Sequence, residues 1–179
     1  MAAGDVLLAR FAWPGDAAMA RVTQILAAHA VRAFRAVDGD STYVYADGAA
    51  SVAATAIPRL VANAEVTRLC TLSDLPGASI GCPAPFHYIV ETDVLPEMEE
   101  DFNAWYDREH LPGLASVDGT VRAWRYRAAE RHPRYHACYD LVSAQTLGSP
   151  AWLAVRATPW SSRVRPAFVN TRRTMLRRV

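Results

Sequence analysis

The chain has 179 residues, 51% of them hydrophobic, with 19 basic against 18 acidic side chains and a formal net charge of +1. That length can bury a real core in one domain or two small ones, and so balanced a charge excludes a surface built as a whole for polyanions. The longest apolar runs, such as 49–57, are too short to cross a bilayer, and the first residues lack the basic, apolar and small-residue order of a signal peptide, so a cytoplasmic protein without a membrane partner is expected.

In chain order, periodicity predicts a strand over 6–12, a helix over 16–29, strands over 31–37 and 42–46, a helix over 49–62 and a strand over 65–72. The Pro- and Gly-rich stretch 73–85 reads as a linker. The same order then returns: a strand over 87–92, a helix over 96–110, strands over 121–127 and 135–141, a helix over 149–157 and a strand over 168–176. Val-Arg-Ala-Phe-Arg-Ala at 31–36 also resembles Val-Arg-Ala-Trp-Arg-Tyr at 121–126, as duplication and fusion would leave it. The expected domains are therefore an N-terminal ferredoxin-like repeat (1–72), the linker (73–85) and a C-terminal ferredoxin-like repeat (86–179) carrying the candidate site. A βαββαβ unit leaves one sheet face bare, so the two four-stranded sheets are expected to pack together or close into a barrel.

The three cysteines, Cys70, Cys82 and Cys138, have no CxxC spacing, and neither a disulfide framework nor a zinc site is expected. No phosphate-binding glycine motif occurs, so no nucleotide cofactor is expected. Gly77-Ala-Ser-Ile-Gly81 matches Gly-x-Ser-x-Gly, but within a linker it lacks the strand and helix that a nucleophile elbow needs.

The stretch 101–113, Asp-Phe-Asn-Ala-Trp-Tyr-Asp-Arg-Glu-His-Leu-Pro-Gly, carries the densest chemistry. Met98, Phe102, Trp105 and Tyr106 recur at three- and four-residue spacing and mark one face of a helix opened by Pro96. Glu97, Glu99, Glu100 and Asp101 crowd its first turns, where the macrodipole favours negative charge. Leu111-Pro112-Gly113 predicts a stop just past His110, placing the imidazole at a helix C-terminus, where the dipole and Glu109 favour its charged form. His110 is thus the candidate proton-transfer group, with Tyr106 one turn earlier on the same face. The structural alternative makes it a helix cap.

Alternation along the strand over 121–127 puts Arg122, Trp124 and Tyr126 on one face and Val121, Ala123, Arg125 and Arg127 on the other. The first set could stack a ring and hold a carboxylate or enolate oxygen, or form aromatic core. His136 shares its face with Cys138 and Asp140 and could join the pocket. Trp160, between Pro159 and Ser161, is a lid or a plug. His29 is read as structural, His87 opens a strand, and His132 sits in a polar turn. His132 and His136 have HxxxH spacing, but Pro133 and a strand context keep both imidazoles from one metal. Ligation by His87, His110 and His136 would need assembly from distant elements, so no metal is expected. The arginines at 156, 163, 165, 172, 173, 177 and 178 fit a solvated face or pairing with the acidic helix better than a nucleic-acid surface.

The order of strand, acidic helix, Trp-Tyr-x-x-Glu-His-Leu-Pro at 105–112, glycine-containing turn and Arg-Ala-Trp-Arg-Tyr at 122–126 resembles the dimeric α+β barrel superfamily, and most of all its EthD-like branch. The resemblance is good from about Phe86 onward and architectural before that. It implies an α+β fold of two tandem ferredoxin-like βαββαβ repeats packing sheet to sheet as a pseudo-dimeric α+β barrel. The superfamily includes isomerases, cyclases, dehydratases, monooxygenases and some haem-binding proteins. In its lactone-isomerising members a histidine near the end of the first helix handles protons, and by resemblance that role falls on His110. The first half keeps His29 without the Glu-His-Leu-Pro context, so one competent site is expected.

The expected activity is cofactor-independent general acid/base catalysis on a small hydrophobic or aromatic carbonyl or lactone compound, as a lyase, isomerase or cyclase. His110 would move the proton, Tyr106 donate a hydrogen bond and Arg122 stabilise the oxyanion. Trp105, Glu109, Trp124, Tyr126, His136 and Trp160 would line the substrate. A cofactor-free monooxygenase, a noncatalytic small-ligand-binding protein and a structural protein are the alternatives, and a homodimer of such chains stays open.

Overall fold

The structure, a computed structural model, describes residues 5–48 and 52–179. The first half runs β1 (Asp5–Ala12), α1 (Asp16–Ile25), β2 (Val31–Ala36), β3 (Ser41–Asp47), α2 (Val52–Leu60) and β4 (Glu65–Pro76). The second half runs β5 (Phe86–Val94), α3 (Glu99–Trp105), α4 (Leu111–Ala115), β6 (Thr120–Ala128), β7 (Tyr135–Leu141), α5 (Pro150–Arg156), α6 (Pro159–Val164) and β8 (Phe168–Arg178). The predicted start of the second helix, 49–51, lies outside the described residues.

All strand pairings are antiparallel, and the sheet closes in the order β1-β3-β2-β8-β5-β7-β6-β4. Each half supplies four contiguous strands, and two seams join them. At β2–β8, Phe34 lies opposite Arg178 and Ala36 opposite Leu176. At β4–β6 the pairing runs from Leu69 opposite Ala128 to Pro76 opposite Arg122, with an irregularity between Thr71 and Ser73. Closure leaves no unpaired edge. It also corrects the linker boundary, because residues 73–76 are the far end of β4.

The rest of that stretch is pinned. Gly77 N–H donates to the Val121 carbonyl at 2.9 Å, Ala78 N–H to Ala115 at 2.8 Å and Ser79 N–H to Thr120 at 2.9 Å. The Ser79 hydroxyl donates to Asp118 at 3.0 Å and accepts from Gly119 N–H at 2.8 Å. Ser79 therefore locks a turn and is not held as a nucleophile. A Cβ on Gly77 would stand 2.0 Å from the Thr120 carbonyl oxygen, so only glycine fits.

Strand alternation divides the interior into three cores. Inside the barrel lie Val6, Leu8, Phe34, Tyr43, Tyr45, Leu69, Ile89, Trp124, Tyr126, Cys138 and Leu176. Outside it, α1 and α2 cover Leu7, Ala9, Phe11 and Val44. On the opposite flank the helices of the second half cover Tyr88, Val90, Ala123, Ala137 and Tyr139 with Phe102, Trp105, Tyr106, Leu111 and Trp152.

Candidate functional site

The helix carrying His110 does not stop there. A 3₁₀ turn at Pro96–Met98 leads into α3, a π turn spans Tyr106–His110, and α4 follows directly. The Leu111 N–H donates to the Tyr106 carbonyl, the i to i−5 bond of a π turn. That widened turn lets Pro112, which has no N–H, sit in the first turn of α4, so Leu-Pro-Gly redirects the helix instead of ending it. Gly113 is where α4 meets α5, because a Cβ there would come within 2.8 Å of Val155 Cγ1.

The expected charged imidazole at a helix C-terminus is accordingly wrong on both counts. The π turn folds His110 back onto Trp105, with ring centroids 4.1 Å apart and stacked, and Tyr106 meets it edge-on at 5.2 Å. His110 is buried, and burial, reinforced by Arg156, Arg165 and Arg125, pulls its pKa down to about 3. The imidazole is neutral at physiological pH, and its Nδ1 is buried with no hydrogen-bond partner. Glu109 does not charge it. Its Oε1 accepts from Trp105 Nε1 at 3.1 Å and from Thr158 Oγ1 at 2.6 Å, which ties the π turn to the N-cap of α6.

His110, Tyr106 and Trp105 line a pocket between the outer face of the sheet and the helices, together with Tyr88, Tyr139, Trp152 and Phe168. Its inner cavity measures about 30 Å³, room for one or two waters. Tyr139 Oη and Trp152 Nε1 are also buried without partners, so three polar atoms of one pocket are unsatisfied. Burial holds the Tyr106 phenol protonated, raising its pKa to about 12. Beneath its ring, at 4.2 Å, lies the Arg125 guanidinium, which donates to Asn103 Oδ1 at 2.8 Å and to Asp107 Oδ1 at 3.2 Å.

The other predicted site residues are elsewhere. Arg122, Trp124, Tyr126 and His136 do share a face, as alternation requires, but that face is the barrel interior and the sheet separates it from His110. Arg122 lies half-exposed, paired to Asp74 at 2.8 and 2.6 Å and stacked 4.6 Å over Trp124, so it cannot serve a proton transfer at His110. Tyr126 accepts from Arg32 at 3.2 Å. His136 donates from Nε2 to the Pro133 carbonyl at 3.1 Å, and burial lowers its pKa to about 4. Trp160 packs on α3 with its indole N–H on Asp101 at 2.9 Å, and it is not part of the pocket lining.

Sequence reasoning missed two groupings. Within the barrel, fully buried His87 bonds Asp140 from Nδ1 at 2.9 Å and lies 3.4 Å by Nε2 from the Tyr45 hydroxyl, stacked on Phe34. At one barrel end a cavity of about 190 Å³ is lined by Arg10, Glu91, His136 and Arg172, where buried Glu91 accepts from Arg172 Nε and Nη2 at 2.7 Å each and from the Tyr43 hydroxyl at 2.9 Å. Burial raises the Glu91 carboxyl pKa against the pull of Arg10 and Tyr43. The even spacing of His87, Ile89 and Glu91 was the available signal. Among the described residues no group of three or more His, Cys, Asp or Glu is placed to hold a metal ion, and no helix is long and apolar enough to cross a membrane.

No family model matches the chain, and no curated protein matches it. Solved structures do. A monooxygenase-like protein from Listeria innocua is 10% identical with a TM-score of 0.63, covering 98% of this chain and 95% of that one. An anthrone oxidase-like protein is 14% identical at a TM-score of 0.65, over 100% and 94% of the two chains. The heme-degrading enzyme of Listeria monocytogenes is 9% identical at 0.64, over 97% and 98%. At such identities the likeness is one of architecture, and the chain has the fold of the ferredoxin-like dimeric α+β barrel proteins, with both four-stranded sheets in a single polypeptide.

Proposed function

We propose that the chain is an enzyme of proton-transfer chemistry on a small aromatic or carbonyl compound, with its active site in the His110 pocket. The observation that carries this reading is that three side chains lining one pocket each hold a buried, unpartnered polar atom: His110 Nδ1, Tyr139 Oη and Trp152 Nε1. Each such atom costs about 1–3 kcal/mol when left unsatisfied, a cost that a bound polar group would remove. Neutral His110 accepts the substrate proton, Tyr106 donates to the oxygen on which negative charge develops, and the aromatic walls exclude water. The resemblance of 105–112 to the EthD-like branch, and of the two halves to each other, supports this placement in a duplicated chain.

Return of that proton to another atom of the substrate would make the enzyme an isomerase or cyclase, and departure of a leaving group with the freed electron pair would make it a lyase. The likeness to proteins described as monooxygenase-like and anthrone oxidase-like favours a second reading, in which the resulting carbanion reacts with dioxygen. Haem, raised by the heme-degrading neighbour, does not fit: the pocket's imidazole is stacked on Trp105 with about 30 Å³ beside it, so no macrocycle reaches His110, whereas a small substrate seated at the mouth needs to send only its reacting group inward.

The test is incorporation of solvent deuterium into a panel of small ketones and lactones, followed by proton NMR with oxygen uptake recorded in parallel. Wild type should exchange at least one class, and His110→Ala should slow it by about a hundred- to ten-thousand-fold while keeping the fold. Exchange unaffected by the substitution would end this reading, and oxygen uptake would select the monooxygenase branch.

A further inference from the structure

Arg156 at the end of α5, Arg165 just after α6 and Arg173 on β8 come from three separate elements, yet all line the mouth of the His110 pocket. Among the described residues no carboxylate lines that pocket, and none of the three guanidinium groups has an ion pair or a hydrogen bond. Their sequence neighbours differ: Arg163 pairs with Asp101, Arg172 with Glu91 and Arg178 with Asp140. Burial, and then repulsion from Arg156 and Arg173, pulls the Arg165 pKa down, so the three charges are close enough to oppose one another. Uncompensated like charge destabilises a fold, and an anion among the three would relieve it.

We propose that this pocket binds a small organic acid, its carboxylate held by Arg156, Arg165 and Arg173 at the mouth and a hydroxyl or carbonyl group reaching the unpartnered atoms of His110, Tyr139 and Trp152. The proposal rests on the reading of this pocket as the active site and names its substrate class. The planar guanidinium matches a carboxylate in two-point contact, and Tyr88 and the partly exposed Phe168 offer apolar surface to a ring at the mouth. Binding also acts on the chemistry. A carboxylate offsets the charge of Arg156 and Arg165, which after burial opposes protonation of His110.

The test is calorimetric titration of wild type, the double variant Arg165→Gln/Arg173→Gln and His110→Gln with benzoate, salicylate, 4-hydroxybenzoate and the neutral 4-hydroxybenzamide. At least one acid should bind wild type about tenfold or more tighter than the amide, with affinity falling as salt rises. The double variant should lose that preference while melting at the same or a higher temperature, since repulsion is relieved. Equal binding of acid and amide, acid binding indifferent to the arginines, or no acid binding at all would overturn the proposal. An arginine-dependent acid preference alongside deuterium exchange that ignores His110→Ala leaves the anion site standing and removes the proton-transfer reading. Exchange that needs His110 without any acid preference does the reverse.

Discussion

His110 gives the structure its sharpest consequence for stability. An imidazole in the unfolded chain takes up its proton near pH 6.5, whereas in the folded protein burial and three arginines hold its pKa down to about 3. Because the folded-state value is the lower one, the unfolded state binds more protons between these limits. The contribution of the neutral imidazole is therefore fully present above pH 6.5 and is lost as pH falls towards 3. Between pH 7 and pH 5 the unfolded imidazole becomes charged while the folded one does not, which costs about 2 kcal/mol. Replacing His110 by glutamine removes that titration and leaves His136, which also titrates low, in both proteins. Urea unfolding of wild type and His110→Gln at pH 7 and pH 5 reads the difference of differences, so any cost of the glutamine itself cancels. Wild type should lose about 2 kcal/mol more than the variant on acidification. If the two lose the same amount, His110 titrates as a solvated imidazole, and the closed, neutral pocket is refuted.

Two other substitutions probe the architecture. Gly77→Ala should destabilise the chain by several kcal/mol, because its Cβ would overlap the Thr120 carbonyl at the turn that joins the halves; a loss below about 1 kcal/mol in chemical denaturation would show that the turn can yield. Arg122→Gln should cost about 0–1 kcal/mol as the loss of a half-exposed pair with Asp74. It should also leave deuterium exchange at the His110 pocket unchanged, since the sheet lies between them; a hundredfold fall in exchange would return Arg122 to the site.

What the sequence determined by itself was local. Period-two and period-3.6 patterns reflect which side chains an isolated strand or helix can bury, and they located the eight strands of the described residues and the face partition of β6 and β7. The Pro- and Gly-rich stretch was legible as a connection, but its first four residues became strand only because β6 offered them partners. Which face of β6 meets His110 was beyond local pattern: both faces of a closed barrel wall are buried, and only the packing of α3 on the outer face decides that Arg125 lies under Tyr106 while Arg122 does not. The Leu-Pro-Gly stop failed for a related reason, since the burial of Leu111, Leu114 and Ala115 on β6 outweighs the poor helix propensity of Pro112 and Gly113 once a π turn absorbs the proline. Arg156, Arg165 and Arg173 could not be told from their paired neighbours in sequence. Their meeting at one pocket mouth depends on α5, the turn after α6 and β8 converging in space, and Arg156 and Arg165 there add to the burial that holds the His110 pKa low.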